Sequence, residues 1–251
     1  MNPVIPHVKI LGVKVNCDDK QTILRRVLKW AKENRSRTIT YVNAHCLNLS
    51  CQNSEYRDAI NQSDLVYSDG ISVVWASKLL GGCRLEKITG REWIFDLCNL
   101  AITNNLNLYI LASAPGIASK ASARLKDRFP KLKIVGTSDG YFYEKNNDQI
   151  LEEINITKPH ILLIGMGAPQ QDLWISNNRT AIDVPLCWSV GALFDYIAGV
   201  EPSVPAWMNK IALEWMWRLL IDPKGKWKRY ILGNPLFAVR VLHQKLKGTS
   251  K

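Results

Sequence analysis

Five short apolar runs in this sequence end in small, amide-bearing or acidic residues. Thr38 to Val42 leads into Asn43-Ala44-His45, Leu65 to Tyr67 into Ser68-Asp69-Gly70, and Leu108 to Ala112 into Ser113-Ala114-Pro115-Gly116. Ile161 to Ile164 leads into Gly165-Met166-Gly167-Ala168-Pro169-Gln170-Gln171-Asp172, and Leu186 to Val190 into Gly191-Ala192-Leu193-Phe194-Asp195. Glycines directly after a buried strand let backbone N–H groups approach a ligand closely. Pro169 suits the first turn of a helix, whose N-terminus favours a phosphate. Gln170 and Gln171 can hydrogen-bond a uracil or a sugar without adding charge. A G-x-G by itself is equally well a tight turn with solvent-facing glutamines. Asp69 can act as a general base or hold a sugar hydroxyl, or can simply be a turn aspartate before Gly70. Asn43 and His45 can be a helix N-cap and a surface histidine. Arg91, in Thr89-Gly90-Arg91-Glu92, can touch a phosphate or merely open a helix, and Asp195 can merely favour a helix dipole.

Other chemistries lack their residues. The sequence has no G-x-x-x-x-G-K-[ST] loop, and no G-x-G-x-x-G followed by an acid ~20 residues on. It has no H-E-x-x-H and no Cys/His ligand set. No Asp-x-Asp occurs, so the usual carboxylate pair for a metal-bound nucleotide sugar is missing. No metal and no cofactor is therefore expected, and any phosphate must be met by helix N-termini, backbone amides or Lys/Arg.

The elements that would position these residues alternate. Besides the five runs, Lys133 to Val135 reads as a strand. Helix-like stretches cover Lys20 to Asn34, Leu47 to Asn61, Ile71 to Leu80, Arg91 to Asn104, Gly116 to Phe129, Asn147 to Ile154, Gln171 to Asn178 and Ala192 to Ala198. Continuous apolar strands separated by helices predict an α/β fold, a Rossmann-like, mostly parallel sheet with helices on both faces. Gly199, Pro202 and Pro205 mark a boundary, giving a body over 1–199 and a C-terminal helical, basic appendage over 200–251. In the appendage, Met208, Ile211, Ala212, Trp215 and Leu219 form an apolar stripe. Asp222-Pro223 ends that helix, and Asn234-Pro235 is expected to start the next.

The chain has 251 residues, 47% of them hydrophobic and 22% charged, which excludes disorder and low-complexity scaffolds. Its six cysteines show no C-x-x-C spacing, and reduced, buried thiols are expected. Met1 to Val15 lacks the apolar region of a signal peptide, and nowhere do 18 apolar residues run without a charge. The net charge is +11. Residues 206–251 hold ten Lys/Arg against two Asp/Glu, a net of +8, together with four of the nine tryptophans. A basic, Trp-rich segment on a near-neutral body points to an anionic partner. Arg218 and Arg229 are the candidates for bidentate phosphate contacts, although Arg218 can also pair with Glu214 on an exposed helix face.

Taken in order, these motifs resemble the WecG/TagA/CpsF glycosyltransferases, glycosyltransferase family 26. The resemblance rests on Tyr41-Val42-Asn43-Ala44, Ser68-Asp69-Gly70, Thr89-Gly90-Arg91, Ala114-Pro115-Gly116, Asp139-Gly140-Tyr141-Phe142, the Gly165-to-Asp172 stretch and Val190 to Asp195. In the tail it rests on Pro205-Ala206-Trp207-Met208, Leu213-Glu214-Trp215, Arg218-Leu219, Lys228-Arg229-Tyr230 and Asn234-Pro235. The resemblance implies inverting, metal-independent transfer of a sugar from a UDP-sugar to a polyprenyl-diphosphate-linked sugar in bacterial cell-surface polysaccharide synthesis. The sugar would be N-acetylmannosamine, its uronic acid, or a related hexose or uronic acid. It implies Asp69 as catalytic base with Asn43 and Gln171 beside it. Substrate binding falls to Tyr41, Gly70, Arg91, Ser113, Pro115, Gly116, Gly165, Gly167, Pro169, Gln170 and Asp195. The acceptor diphosphate falls to Arg218, Lys228 and Arg229. The appendage would dock the protein peripherally on the cytoplasmic face of the cell membrane, with a homo-oligomer left open. A Rossmann-type oxidoreductase and a basic nucleic-acid-binding protein are the other classes. The first lacks its dinucleotide fingerprint, and the second, permitted by the aromatic-basic tail, leaves the glycine-rich strand ends unexplained, so no nucleic-acid partner is expected.

Overall fold

The computed structural model describes residues 5–140, 147–202, 204–205, 208 and 213–248. Tyr141 and Phe142 of one motif, and Ala206, Trp207, Ile211 and Ala212 of the tail, lie outside the described residues.

A hairpin, β1 (His7–Ile10) and β2 (Val13–Asn16), precedes the body and was not expected. The body contains β3 (Arg37–Val42), β4 (Leu65–Ser68), β5 (Asn107–Ala112), β6 (Lys133–Asp139), β7 (Ile161–Gly165) and β8 (Leu186–Ser189). They form one sheet in the order β4-β3-β8-β7-β5-β6, and every neighbouring pair is parallel. All six expected strands are in it.

Alternate residues of the strands feed opposite faces. Leu108, Ile110 and Ala112 of β5 join one core cluster, while Tyr109 and Leu111 join another. A strand buried on both faces must be apolar throughout, which is why these runs show no alternation. The first face is covered by α1 (Lys20–Trp30), α5 (Gly90–Thr103), α6 (Ile117–Arg128) and α9 (Leu193–Ile197). The second is covered by α2 (Ala44–Gln52), α3 (Ser54–Asn61), α4 (Ile71–Leu79), α7 (Asn147–Thr157) and α8 (Gln170–Asn178). The single helix expected over Leu47 to Asn61 is two. Asn53 has extended backbone, and its side chain accepts from Tyr56 N to start α3, an N-cap that breaks the helix despite continuous periodicity.

The tail carries α10 (Glu214–Ile221), α11 (Pro223–Trp227), a π-helical turn (Lys228–Leu232) and α12 (Gly233–Gly248). Asp222 ends α10 and caps α11, its carboxylate accepting from Gly225 N at 2.9 Å. Asn234-Pro235 does not start a helix, because the π turn runs directly into α12. Pro235, which has no N–H to donate, is the third residue of α12.

One face of the tail is packed on the body. Phe237 and Val241 are buried in the cluster that holds the hairpin and α2. Asn48 donates to Gly233 O at 2.7 Å, Arg240 donates to Asn48 Oδ1 at 2.8 Å, and the Gln244 amide bonds Leu11 N and Lys9 O. Cys17 and Cys83 form a disulfide between the end of the hairpin and the loop after α4. Cys46, Cys98 and Cys187 are free and buried, and Cys51 is exposed. The expectation of six reduced, buried thiols is thus corrected at Cys17, Cys83 and Cys51.

Candidate active site

Ligands of open α/β sheets bind beyond the carboxyl ends of the strands. Here, two adjoining cavities open there. The smaller, about 160 Å³, lies over the ends of β3, β4, β7 and β8, and includes Tyr41, Thr89, Arg91, Gly167, Val190 and Tyr196. The larger, about 610 Å³, runs from the ends of β3 and β4 to α4 and α12. Asn43, His45, Asp69, Glu214, Arg218 and Arg229 line both.

Asp69 is the first residue past β4, with its N–H bonded to Val42 O at 2.8 Å. Gly70 follows with φ +115°, a backbone state open to glycine and strained for a side chain, and α4 starts at once. Asn43 has two tasks. Its Oδ1 caps α2 by accepting from His45 N and Cys46 N at 3.0 and 3.1 Å. That fixes the amide so that Nδ2 faces Asp69 Oδ2 at 3.5 Å. Burial pushes the Asp69 carboxyl up to about 6; Glu214's charge adds to this, while Arg218, Asn43 and Arg229 oppose it. A carboxyl at that value is a base strong enough to take a proton and still ionised at neutral pH. His45 is pushed down to about 4, first by burial and then by Arg229, so it is neutral there.

The starts of α2, α4 and α5 and the turn before α8 line these cavities. Their N-terminal amides and dipoles favour negative charge. The tail completes the wall. Glu214 Oε1 accepts from Arg91 at 3.1 Å and from Arg218 at 2.6 Å, and both guanidinium groups sit over the Tyr196 ring, at 5.0 and 5.2 Å. The expected Arg218–Glu214 pair therefore exists, but it is not a solvated surface pair. It is a bridge, with side chains 22% and 17% exposed, that ties the tail to the start of α5. Burial alone would raise the Glu214 carboxyl; Arg218 and Arg91 reverse this and hold it below the usual range.

Replacing Glu214 with Gln tests the bridge. A weakened link should lower the melting temperature at neutral pH by the equivalent of roughly 1–3 kcal/mol. That difference should shrink as pH falls through the carboxylate range, because a depressed carboxyl stabilises only while ionised. The same change removes a charge that raises Asp69, so the acid limb of activity should move to lower pH. A melt identical to wild type at pH 7 would show that Glu214 holds nothing.

Of the expected site residues, Asp69, Asn43, Tyr41, Gly70, Arg91, Gly167, Arg218 and Arg229 line the two cavities. Gln171 does not. It is fully buried, and its Oε1 accepts from Gly191 N at 2.9 Å, which makes it a positioning residue for the turn after β8. Asp172 behind it accepts from Thr40 and Ser189 at 2.6 and 2.8 Å. Ser113 donates to Asp195 Oδ1 at 2.7 Å, and Gly116 N bonds Asp139 Oδ1 at 2.9 Å, so these form a second group at the ends of β5 and β6 and the start of α9. Pro115 leads into that group. Gly165 packs backbone against backbone, a Cβ there meeting Gly191 O. Pro169 caps α8, Gln170 is exposed, and Lys228 is exposed beside Trp227; none of the three lines either cavity. Sequence reading missed Tyr196 as a cavity residue, the cross-body role of Glu214, and the apolar wall of Trp75, Leu79 and Phe237. Among the described residues no cluster of three or more His, Cys, Asp or Glu is arranged to hold a metal.

The family model described as "Glycosyl transferase WecG/TagA/CpsF family" matches residues 8–251. A relative from Bacillus subtilis (strain 168) is 26% identical over 207 residues, 82% of this chain and 79% of its own. One from Bacillus spizizenii is 29% identical over 191 residues, 76% of this chain and 73% of its own. One from Staphylococcus aureus (strain NCTC 8325 / PS 47) is 27% identical over 247 residues, 96% and 94% of the two chains. All three are named N-acetylglucosaminyldiphosphoundecaprenol N-acetyl-beta-D-mannosaminyltransferase.

Proposed function

The chain belongs to the WecG/TagA/CpsF glycosyltransferase family, and from that premise we propose an inverting, metal-independent transfer from a UDP-sugar to a polyprenyl-diphosphate-linked sugar. N-acetylmannosamine is the first-choice donor sugar, since the relatives carry that sugar in their names. The product would enter bacterial cell-surface polysaccharide. The observation that carries the reading is Asp69, one carboxylate on the shared wall of a polar cavity and a long apolar one.

The UDP-sugar occupies the polar cavity, and the acceptor approaches from the larger one. The acceptor hydroxyl gives its proton to Asp69 while its oxygen bonds the anomeric carbon. The bond from that carbon to the diphosphate oxygen breaks, and UDP leaves with the electron pair. A single in-line displacement inverts the centre. Charge growing on UDP is met by helix N-termini and by Arg218 and Arg229, preorganised dipoles and cations rather than a metal. The tail supports peripheral docking on the inner face of the membrane. Ten of the fourteen exposed large hydrophobic side chains among the described residues lie between Trp215 and Leu246, and no described helix is long and apolar enough to cross a membrane.

The test is acceptor-dependent UDP release from a panel of UDP-sugars, using a lipid-diphosphate-linked N-acetylglucosamine. Release should appear with one donor and require the acceptor. Excess EDTA should leave the rate nearly unchanged; full loss restored by Mg²⁺ or Mn²⁺ would defeat the metal-independent part. Reduced-cofactor absorbance in the purified protein, or RNA binding tighter than UDP binding at matched salt, would favour the other classes.

A further inference from the structure

The larger cavity changes character along its length. At one end are Asp69, Arg218 and Arg229; at the other are Trp75, Leu79, Phe237, Ala238 and Leu242. Trp75 and Leu79 are on α4 of the body, and the other three are on α12 of the tail. Trp75 is 64% exposed, a large cost for a residue with no ligand, and it lines this cavity together with Leu242 of the tail. Polar and apolar ends belong to one continuous space, which fits one molecule with an anionic head and an apolar tail. A soluble sugar nucleotide would leave the apolar end empty.

We propose that the groove between α4 and α12 binds the isoprenoid units next to the diphosphate of the acceptor, so that the protein recognises chain as well as head. This deepens the functional reading above and rests on it. The space, about 610 Å³, is that of a small-molecule site; it takes the head and the first units, and the rest of the chain stays in the bilayer. Body helix α4 is therefore part of the lipid site, and the tail supplies only the opposite wall.

The test uses the full chain and two variants at exposed positions. Trp75→Ser removes one wall, and Ala238→Phe fills the groove. Binding is measured in solution by calorimetry with geranylgeranyl diphosphate and with methyl diphosphate, the same head without a chain. Wild type should bind the longer ligand at least ~10-fold more tightly, the return for burying as few as two methylene groups. Both variants should lose that preference while binding methyl diphosphate within about twofold of wild type. Transfer is then compared on acceptors with methyl and polyprenyl tails, where the variants should lower kcat/KM on the long acceptor alone. Equal binding of the two diphosphates by wild type, or equal loss on both acceptors in the variants, would overturn the groove assignment. A chain preference in binding with no transfer to either acceptor would keep the groove and overturn the transfer reading instead.

Discussion

Asp69→Asn is expected to cut turnover by ~10²–10⁴ while UDP-sugar binding is largely kept. The side chain keeps its shape and its neighbour Asn43, but it can no longer accept the acceptor's proton. The pH profile separates this from a packing defect. With the carboxyl near 6, the base is ionised above that value, so kcat/KM should be flat near neutrality and fall about tenfold per unit as pH drops below it. The residual activity of the variant should lack this limb. Near-normal turnover in the variant, or a profile with the same limb, would reject Asp69 as the base.

Leu220→Asp with Val239→Asp is expected to weaken sedimentation with anionic liposomes by at least about a hundredfold, since each apolar side chain withdrawn from the membrane is worth roughly 1.5 kcal/mol. Both positions are strongly exposed, 66% and 61%, and neither lines the cavities. The melting temperature and UDP release with a methyl-tailed acceptor should stay near wild type. The charge arithmetic of the tail overstates its free cations, because Arg218 is bound to Glu214, Lys226 to Glu201 and Arg240 to Asn48. In the proposed docking, apolar area therefore outweighs charge. Cutting the chain near Val204 is a poorer probe, because it strips Phe237 and Val241 from the core cluster they share with the hairpin. Unchanged sedimentation of the double variant at the same salt would refute docking through this face.

The sheet was legible because strands buried on both faces must be continuously apolar, and helices between them then force parallel pairing. The hairpin was not, since His7–Ile10 and Val13–Asn16 are only four residues each and their alternation is too short to stand out. Asn53 was invisible inside a periodic stretch because one residue both ends α2 and starts α3. Asn43, Asp69 and Gly70 were legible as residue types at strand ends, and the helix cap turns out to be what aims Asn43 at Asp69. Gln171 shows the opposite case. Its type suits sugar binding, yet its place as the second residue of α8 points it at Gly191 behind the site. Glu214 escaped because its decisive partner, Arg91, is 123 residues away, and only the local pair with Arg218 could be read from spacing.

The most direct measurement is the identity of the lipid product. The protein is incubated with UDP-N-acetylmannosamine and polyprenyl-diphosphate-linked N-acetylglucosamine, and the lipid fraction is analysed by mass spectrometry and by NMR of the new linkage. The expected result is an acceptor heavier by one N-acetylhexosamine residue, equimolar UDP, and an anomeric configuration opposite to the donor's. A product with the donor's configuration would contradict the single displacement at Asp69, and an unaltered acceptor across the whole panel of UDP-sugars would contradict the transfer itself.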